Sequence, residues 1–412
     1  MRRQIRLFIA PILLMAGTFI ATGGVSASAG AASSPIKIGV IGAFTGPTSE
    51  IAIEGIKGIT ARVDLQNSRG GVYGHKLQII QEDDANSATQ SLSAAQIELS
   101  KGAFGIIDLN TQTVTAIAPM LLQQNIPLVV LSPASPSGVD KNAFSAVTSP
   151  NPKVPVANTA MLFLKKEGAK SLGCGALVGI PPSINACKAY AFAAKSLGLQ
   201  APYIDLNVAL AGENYTADGI AMKASGIDTW EPAMTPTADL DMLTAAKQAG
   251  ANITHVLFGP PDPSLFTGPS LTELQGAYFT EPWYPLFVNK PGPETVRNAL
   301  VKYDGITGVL NQTDFNLLDA YLATDIFIEG LTVAGAKPTD AKFIKNLRNV
   351  TDYTAGGMTL SPINLKTDFG KTATGVDANN CEYFFQLKGN TFEAVGQEPV
   401  CGKLIPNSFQ QP

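Results

Sequence analysis

Short apolar runs alternate with amphipathic helical stretches along most of this chain, and few folds accept that alternation. A strand buried on both faces reads as an unbroken apolar run, and two such strands lie parallel only when a crossover of helical length joins them. Runs of this kind occupy residues 36–43, 77–81, 104–109 and 127–131. A second set covers residues 172–180, 203–208, 227–230, 255–259 and 276–280. Between the first two runs, Ile53, Ile56, Ile59 and Val63 recur at three- and four-residue spacing, which predicts a helix with one buried face, closed by Gly70-Gly71. Residues 318–331 predict another apolar-faced helix. The expected class is α/β, with parallel sheets flanked by helices.

At 412 residues the chain exceeds one compact core and suits two lobes. Only 15% of residues are charged and the formal net charge is −4, so no basic field exists to hold nucleic acid. The N-terminus reads as an export leader over residues 1–31. Arg2, Arg3 and Arg6 form its basic start, an apolar stretch follows from Leu7 to Ile20, and small residues such as Ala27-Ser28-Ala29 offer a cleavage site. No later run is long enough to span a bilayer, and no cysteine follows the leader to carry a lipid anchor. The expectation is a protein free in the periplasm or secreted. Export fits the four cysteines, whose proximity in sequence favours the pairs Cys174–Cys187 and Cys381–Cys401.

Enzyme signatures fail on inspection. Gly173-Cys174-Gly175 begins like a dinucleotide fingerprint, but Val178 stands where its last glycine belongs. Gly370-Lys371-Thr372 ends like a phosphate loop, yet Leu365 replaces the first glycine. No nucleophile elbow surrounds Ser137-Gly138, and the two histidines are far apart. No catalytic residue, metal or cofactor is expected.

The opening Gly42-Ala43-Phe44-Thr45-Gly46-Pro47, the turn Gly70-Gly71-Val72-Tyr73-Gly74 and the late Gly356-Gly357 follow one another in a recognisable order. So do Ala224-Ser225-Gly226-Ile227-Asp228, Ala249-Gly250 and Gly276-Ala277-Tyr278. Together they resemble the type I periplasmic binding proteins, in particular the branched-chain amino-acid and amide-binding branch. The resemblance implies two Rossmann-like lobes joined by three crossover strands. The crossings are expected at residues 148–152, 280–285 and 351–358. The first lobe would then comprise residues 36–149 and 284–354, and the second residues 150–283 and 355–412.

The resemblance also implies a ligand site in the cleft. Asn110, Thr111, Gln112 and Thr113 match the position that holds a ligand carboxylate, and Ser132, Ala134 and Ser135 match a second carboxylate loop. Three positions depart from amino-acid binders: Ile51 replaces an aromatic residue, Ser183 lies in a loop lacking the family's tyrosine, and Pro261 takes the place of an acid, with Asp262 one residue beyond. These changes favour a ligand with an oxygen-bearing end and an apolar or aromatic body. Thr235, Phe315 and Asn316 are expected on the second-lobe wall and the crossing region. The implied function is capture of a small organic ligand, an amino acid among the options, by hinged closure and delivery to an ABC permease, with the protein acting as a monomer. The alternative is a sensor of the same fold that signals to a partner protein.

Overall fold

The unbroken apolar runs form strands, each starting and ending within a few residues of its expected place. The computed structural model describes residues 33–46, 48–109, 113–131, 141–145, 156–209, 214–367 and 380–405. In chain order β1 (Ile36–Gly42), α1 (Ser49–Ser68), β2 (Leu77–Asp83), α2 (Ala88–Ser100), β3 (Ala103–Asp108), α3 (Val114–Gln124), β4 (Leu128–Val130) and β5 (Ala143–Phe144) build the first sheet and its helices. The five strands are all parallel, in the order β2-β1-β3-β4-β5.

The inward face of α1 differs from expectation. Ile59 and Val63 are buried, but Ile53 is 43% exposed, and Gly55 and Gly58 take the inward places. A Cβ on Gly58 would collide with the carbonyl oxygen of Leu317, so the helix that carries Leu317 approaches α1 backbone to backbone. Spacing of large apolar residues misses a face built from glycine. After α1 the chain turns through Gly70, Gly71 and Gly74, all at positive φ, and a side chain at Gly71 would run into the His75 carbonyl.

The second sheet grows by the same alternation. β6 (Val156–Ala157), α4 (Thr159–Glu167), β7 (Ser171–Leu177), α5 (Pro181–Ser196), β8 (Gln200–Val208), α6 (Thr216–Ser225), β9 (Thr229–Trp230), α7 (Pro236–Gln248), β10 (His255–Phe258), α8 (Gly268–Glu273) and β11 (Tyr278–Glu281) follow in sequence. The chain then supplies α9 (Pro291–Asp304), α10 (Val309–Gln312), α11 (Phe315–Ala334) and α12 (Asp340–Leu347). It ends its described course with β12 (Cys381–Lys388), β13 (Thr391–Ala394), β14 (Val400–Cys401) and β15 (Leu404–Ile405). The second sheet has the order β13-β12-β11-β10-β9-β7-β8, with β14 also on β12. Its β7 to β11 portion is parallel, whereas β12 and β13 are antiparallel additions.

Two lobes result, each with its own core. The first core takes in β1, α1 and α11 together with Trp283, Leu286, Tyr353, Ala355, Met358, Ile363 and Leu365. The expected lobe boundary after residue 354 therefore falls inside a stretch whose buried residues belong to the first core. The second core centres on Trp230, Phe258, Phe279 and Phe385. Two of the three expected crossings run side by side: Tyr284 N–H donates to the Met358 carbonyl at 2.8 Å, and Trp283 bridges Thr359. The crossing at 148–152 and the leader at 1–31 lie outside the described residues.

Both expected disulfides are formed. Cys174 on β7 joins Cys187 on α5, and Cys381 on β12 joins Cys401 directly opposite on β14. Each closes a short loop and contributes about 3 kcal/mol by limiting the unfolded chain. No described helix is long and apolar enough to cross a membrane.

Candidate ligand site

In open α/β sheets the carboxyl ends of the strands are where loops and helix starts converge. Here β7, β10 and β11, with the segment after β9, enclose a cavity of about 430 Å³ at that edge. Its wall is mostly apolar, with Leu177, Met234, Phe258 and Phe279 prominent, and Pro232, Pro236, Pro260 and Pro282 stiffen the rim. One wall residue comes from the other lobe. Phe315, in the first turn of α11, lines the cavity while stacking on Trp283, with ring centroids 5.5 Å apart and planes 13° from parallel. The cavity is thus bounded by both lobes, and its closing wall is an aromatic face.

The polar groups on this wall are largely engaged in holding it. Ser183 accepts the Leu177 N–H at 2.8 Å and donates to the Ala233 carbonyl, tying α5 to the ends of β7 and of the segment after β9. Asp239 accepts the Met234 N–H at 3.0 Å, and its backbone carbonyl takes the Trp230 indole N–H at 3.2 Å. Burial pushes the Asp239 carboxyl well above its ordinary range, against that hydrogen bond. Tyr190 also lines the cavity. Burial raises its hydroxyl well above the ordinary range, reinforced by Glu231, Glu382 and Asp239.

A second cavity, about 450 Å³, adjoins the first through Asp262. It is walled by Glu50, Glu54 and Lys57 of α1, by Asp262 and Ser264, and by Asn311 and Asp314 ahead of α11. Lys57 pairs with Glu54 at 2.6 Å. Glu50 titrates above its ordinary value through burial first, then through Asp262 from the opposite lobe and Glu54. Asp314 accepts the Leu317 N–H at 3.0 Å as the cap of α11. Burial above all, with Glu54 and Asp262, pushes it up to about 6. This space gathers like charges across the cleft.

Several residues expected from sequence meet here. Ser183, Asp262 and Phe315 line the apolar cavity. Asp262 also accepts the Ser264 N–H at 2.8 Å, so its carboxylate shapes its own turn. Thr235 caps α7 through the Ala238 N–H and lies between the lining residues Met234 and Pro236 without lining the cavity itself. Pro261 is buried, Asn316 half-buried and Ile51 exposed, and none of the three lines either cavity. Thr113 is buried: its hydroxyl donates to Asp84 at 2.7 Å and accepts from Ser91 at 3.0 Å. That bond fixes the start of α3. Asn110, Thr111, Gln112, Ser132, Ala134 and Ser135 lie outside the described residues.

Sequence reasoning missed Tyr190, Phe258 and Phe279, and also Glu231 and Glu281 behind them. One signal existed. A glutamate followed by proline stands directly after β9 and at the end of β11, Glu231-Pro232 and Glu281-Pro282, and both prolines line the cavity.

Comparison with known proteins matches this architecture. Residues 35–391 match the family described as periplasmic binding protein. A Leu/Ile/Val-binding protein homolog of Brucella melitensis is 33% identical over 123 residues, 30% of this chain and 33% of that protein, so the chain matches about a third of that relative's length. Among solved structures, a fatty acid ABC transporter substrate-binding protein from Thermomonospora curvata superimposes with a TM-score of 0.71 at 18% identity, covering 90% of this chain and 93% of its own. A solute-binding protein from R. palustris in complex with 4-hydroxybenzoate gives 0.69 at 19% identity, covering 90% and 97%. With the matching family spanning both sheets and the two-lobe fold shared with these structures, the chain belongs to the type I periplasmic binding proteins, a family of solute-binding proteins rather than enzymes.

Proposed function

We propose that this protein is exported by its leader, captures a small organic acid with an apolar or aromatic body, and hands it to an ABC permease. The observation that carries this reading is the apolar cavity, bounded by the second-lobe strand ends and by Phe315 of the first lobe. Burying roughly 150 Å² of apolar ligand there contributes about 4 kcal/mol, close to three decades in Kd. A free α-ammonium finds less support on this wall, because Ser183 and Asp239 already serve backbone groups and Asp262 bonds within its own turn. The oxygen-bearing end would rest on the first-lobe loops expected at residues 110–113 and 132–135. Relatives of the same fold whose ligands are a fatty acid and 4-hydroxybenzoate fit this class.

Closure would be a hinged movement about the paired crossings, with Trp283 and Phe315 carried by the first lobe. We place the first lobe at residues 36–149 and 283–365, one residue before and eleven residues beyond the sequence-based bounds, because Trp283 and the buried side chains from Ala355 to Leu365 pack in the first core. The ligand favours closure only by the affinity it gains in the closed form. A thermal-shift panel on ligand-stripped protein tests the reading. At about a hundred times its Kd a ligand adds roughly 2.7 kcal/mol. Straight-chain and aromatic carboxylates are expected to raise the unfolding temperature more than leucine or valine at equal concentration. A rise with leucine and none with any carboxylate would overturn the reading.

A further inference from the structure

Behind the apolar cavity, and sharing Tyr190, Pro232, Phe258 and Pro282 with it, lies a smaller pocket of about 100 Å³. Three glutamates line it: Glu231 beyond β9, Glu281 at the end of β11 and Glu382 on β12. Glu281 is 0% exposed, and neither of its carboxylate oxygens makes a hydrogen bond among the described residues. Glu231 is 5% exposed and its Oε2 is likewise unpartnered. Glu382 accepts from Thr280 Oγ1 at 3.1 Å. Among the described residues no lysine, arginine or histidine lines the pocket. A buried carboxylate without a donor is costly, which makes this the least satisfied polar place on the cavity's boundary.

We propose that this pocket receives a positively charged nitrogen at the far end of the ligand, a primary ammonium carried on the apolar body. The inference rests on the binding reading above and narrows its substrate class to bipolar molecules, oxygen-bearing at one end and cationic at the other. Ionised carboxylates only accept, and an ammonium offers three donors. The pocket's size suits an ammonium with its adjoining methylene groups. Among the described residues no group of three acidic, histidine or cysteine side chains is arranged to ligate a metal ion, which favours a cation that brings its own directed donors. Asp262, which lines the apolar and the acidic cavities, does not line this pocket.

Burial raises Glu231 well above its ordinary range, with Glu382 adding to it. Burial raises Glu281 also, opposed by the nearby Trp283 indole, although the two lack good hydrogen-bond geometry. The other titratable groups lining the pocket are Tyr190 on α5 and Glu382 on β12, and Asp239 on α7, on the wall of the apolar cavity, acts on Tyr190 from outside the pocket. An arriving ammonium therefore displaces protons, and its affinity rises with pH.

The test uses the full mature chain and calorimetric titration with a ladder of straight-chain ω-aminoalkanoates, ω-hydroxyalkanoates and plain alkanoates of matched lengths. At its best length the amine is expected to bind roughly tenfold or more tighter than the alkanoate, the value of one charge-assisted hydrogen bond. That advantage should shrink as the solution is taken from about pH 8 to about pH 6. It should fall away in Glu281→Gln, and in Glu231→Gln should the first variant unfold, while alkanoate binding persists in both. An alkanoate or hydroxyalkanoate that equals the amine at every length overturns this inference and leaves the proposed function standing. Failure of all three series overturns both.

Discussion

The two cavities that meet at Asp262 have nearly the same volume, about 430 and 450 Å³, and opposite chemistry. One is walled by aromatic rings, methionine and proline; the other by four carboxylates and one lysine. Size alone would not rank them. Apolar walls gain free energy when a ligand replaces their water, whereas ionised groups are best served by keeping it. On our proposal the first space takes the ligand body. On the same proposal the second would set how readily two like-charged faces approach, because Glu50 and Asp262 face each other across it.

The largest expected effect comes from filling the apolar side. Ala233→Phe should reduce affinity for an organic acid by about a hundredfold or more, by occupying the volume that contributes about 4 kcal/mol. Titration of variant and wild type reads this directly, and an unchanged affinity would move the ligand elsewhere.

Next is the support of that wall. Replacing both Cys174 and Cys187 by serine releases α5, which carries Ser183, Ala186 and Tyr190, from β7. Denaturant unfolding should show a loss of about 3 kcal/mol.

The acidic side should declare itself through pH. The Asp314 carboxyl is raised from 3.8 to about 6, so the folded state holds its proton more tightly than the unfolded chain. Its contribution is therefore fully present below about pH 4 and lost as pH rises through about 6, on the order of 2 kcal/mol. Asp314→Asn keeps a side chain able to cap α11 and should flatten that part of the stability–pH curve. A curve as steep as wild type would remove Asp314 as its cause.

The smallest effect belongs to Glu50, which is exposed and screened by solvent. Glu50→Gln should raise affinity by no more than about threefold, and added salt should mimic it.

The strands were legible because burial on both faces leaves an unbroken apolar signature, and β1, β3, β7 and β10 start or end within a residue or two of the runs that foretold them. The cavity walls were legible only in part. Asp262 and Phe315, expected from the sequence, line the apolar cavity, whereas Glu231 and Glu281, which line the pocket behind it, were not singled out. An acid followed by proline reads as a solvated turn, and what buries these two is pairing with strands far away in sequence, β7 beside β9 and β12 beside β11. The inward face of α1 failed for a similar reason. Gly58 faces inward because Leu317, more than two hundred residues later, comes to lie against it.

The central claim is that the apolar cavity, rather than its acidic neighbour, holds the ligand. A crystal structure of the stripped protein soaked with the tightest carboxylate from the thermal panel tests it most directly. The account predicts the ligand body packed against Phe258, Phe279 and Phe315. Density for that body among Glu50, Lys57 and Asp314 instead would contradict it.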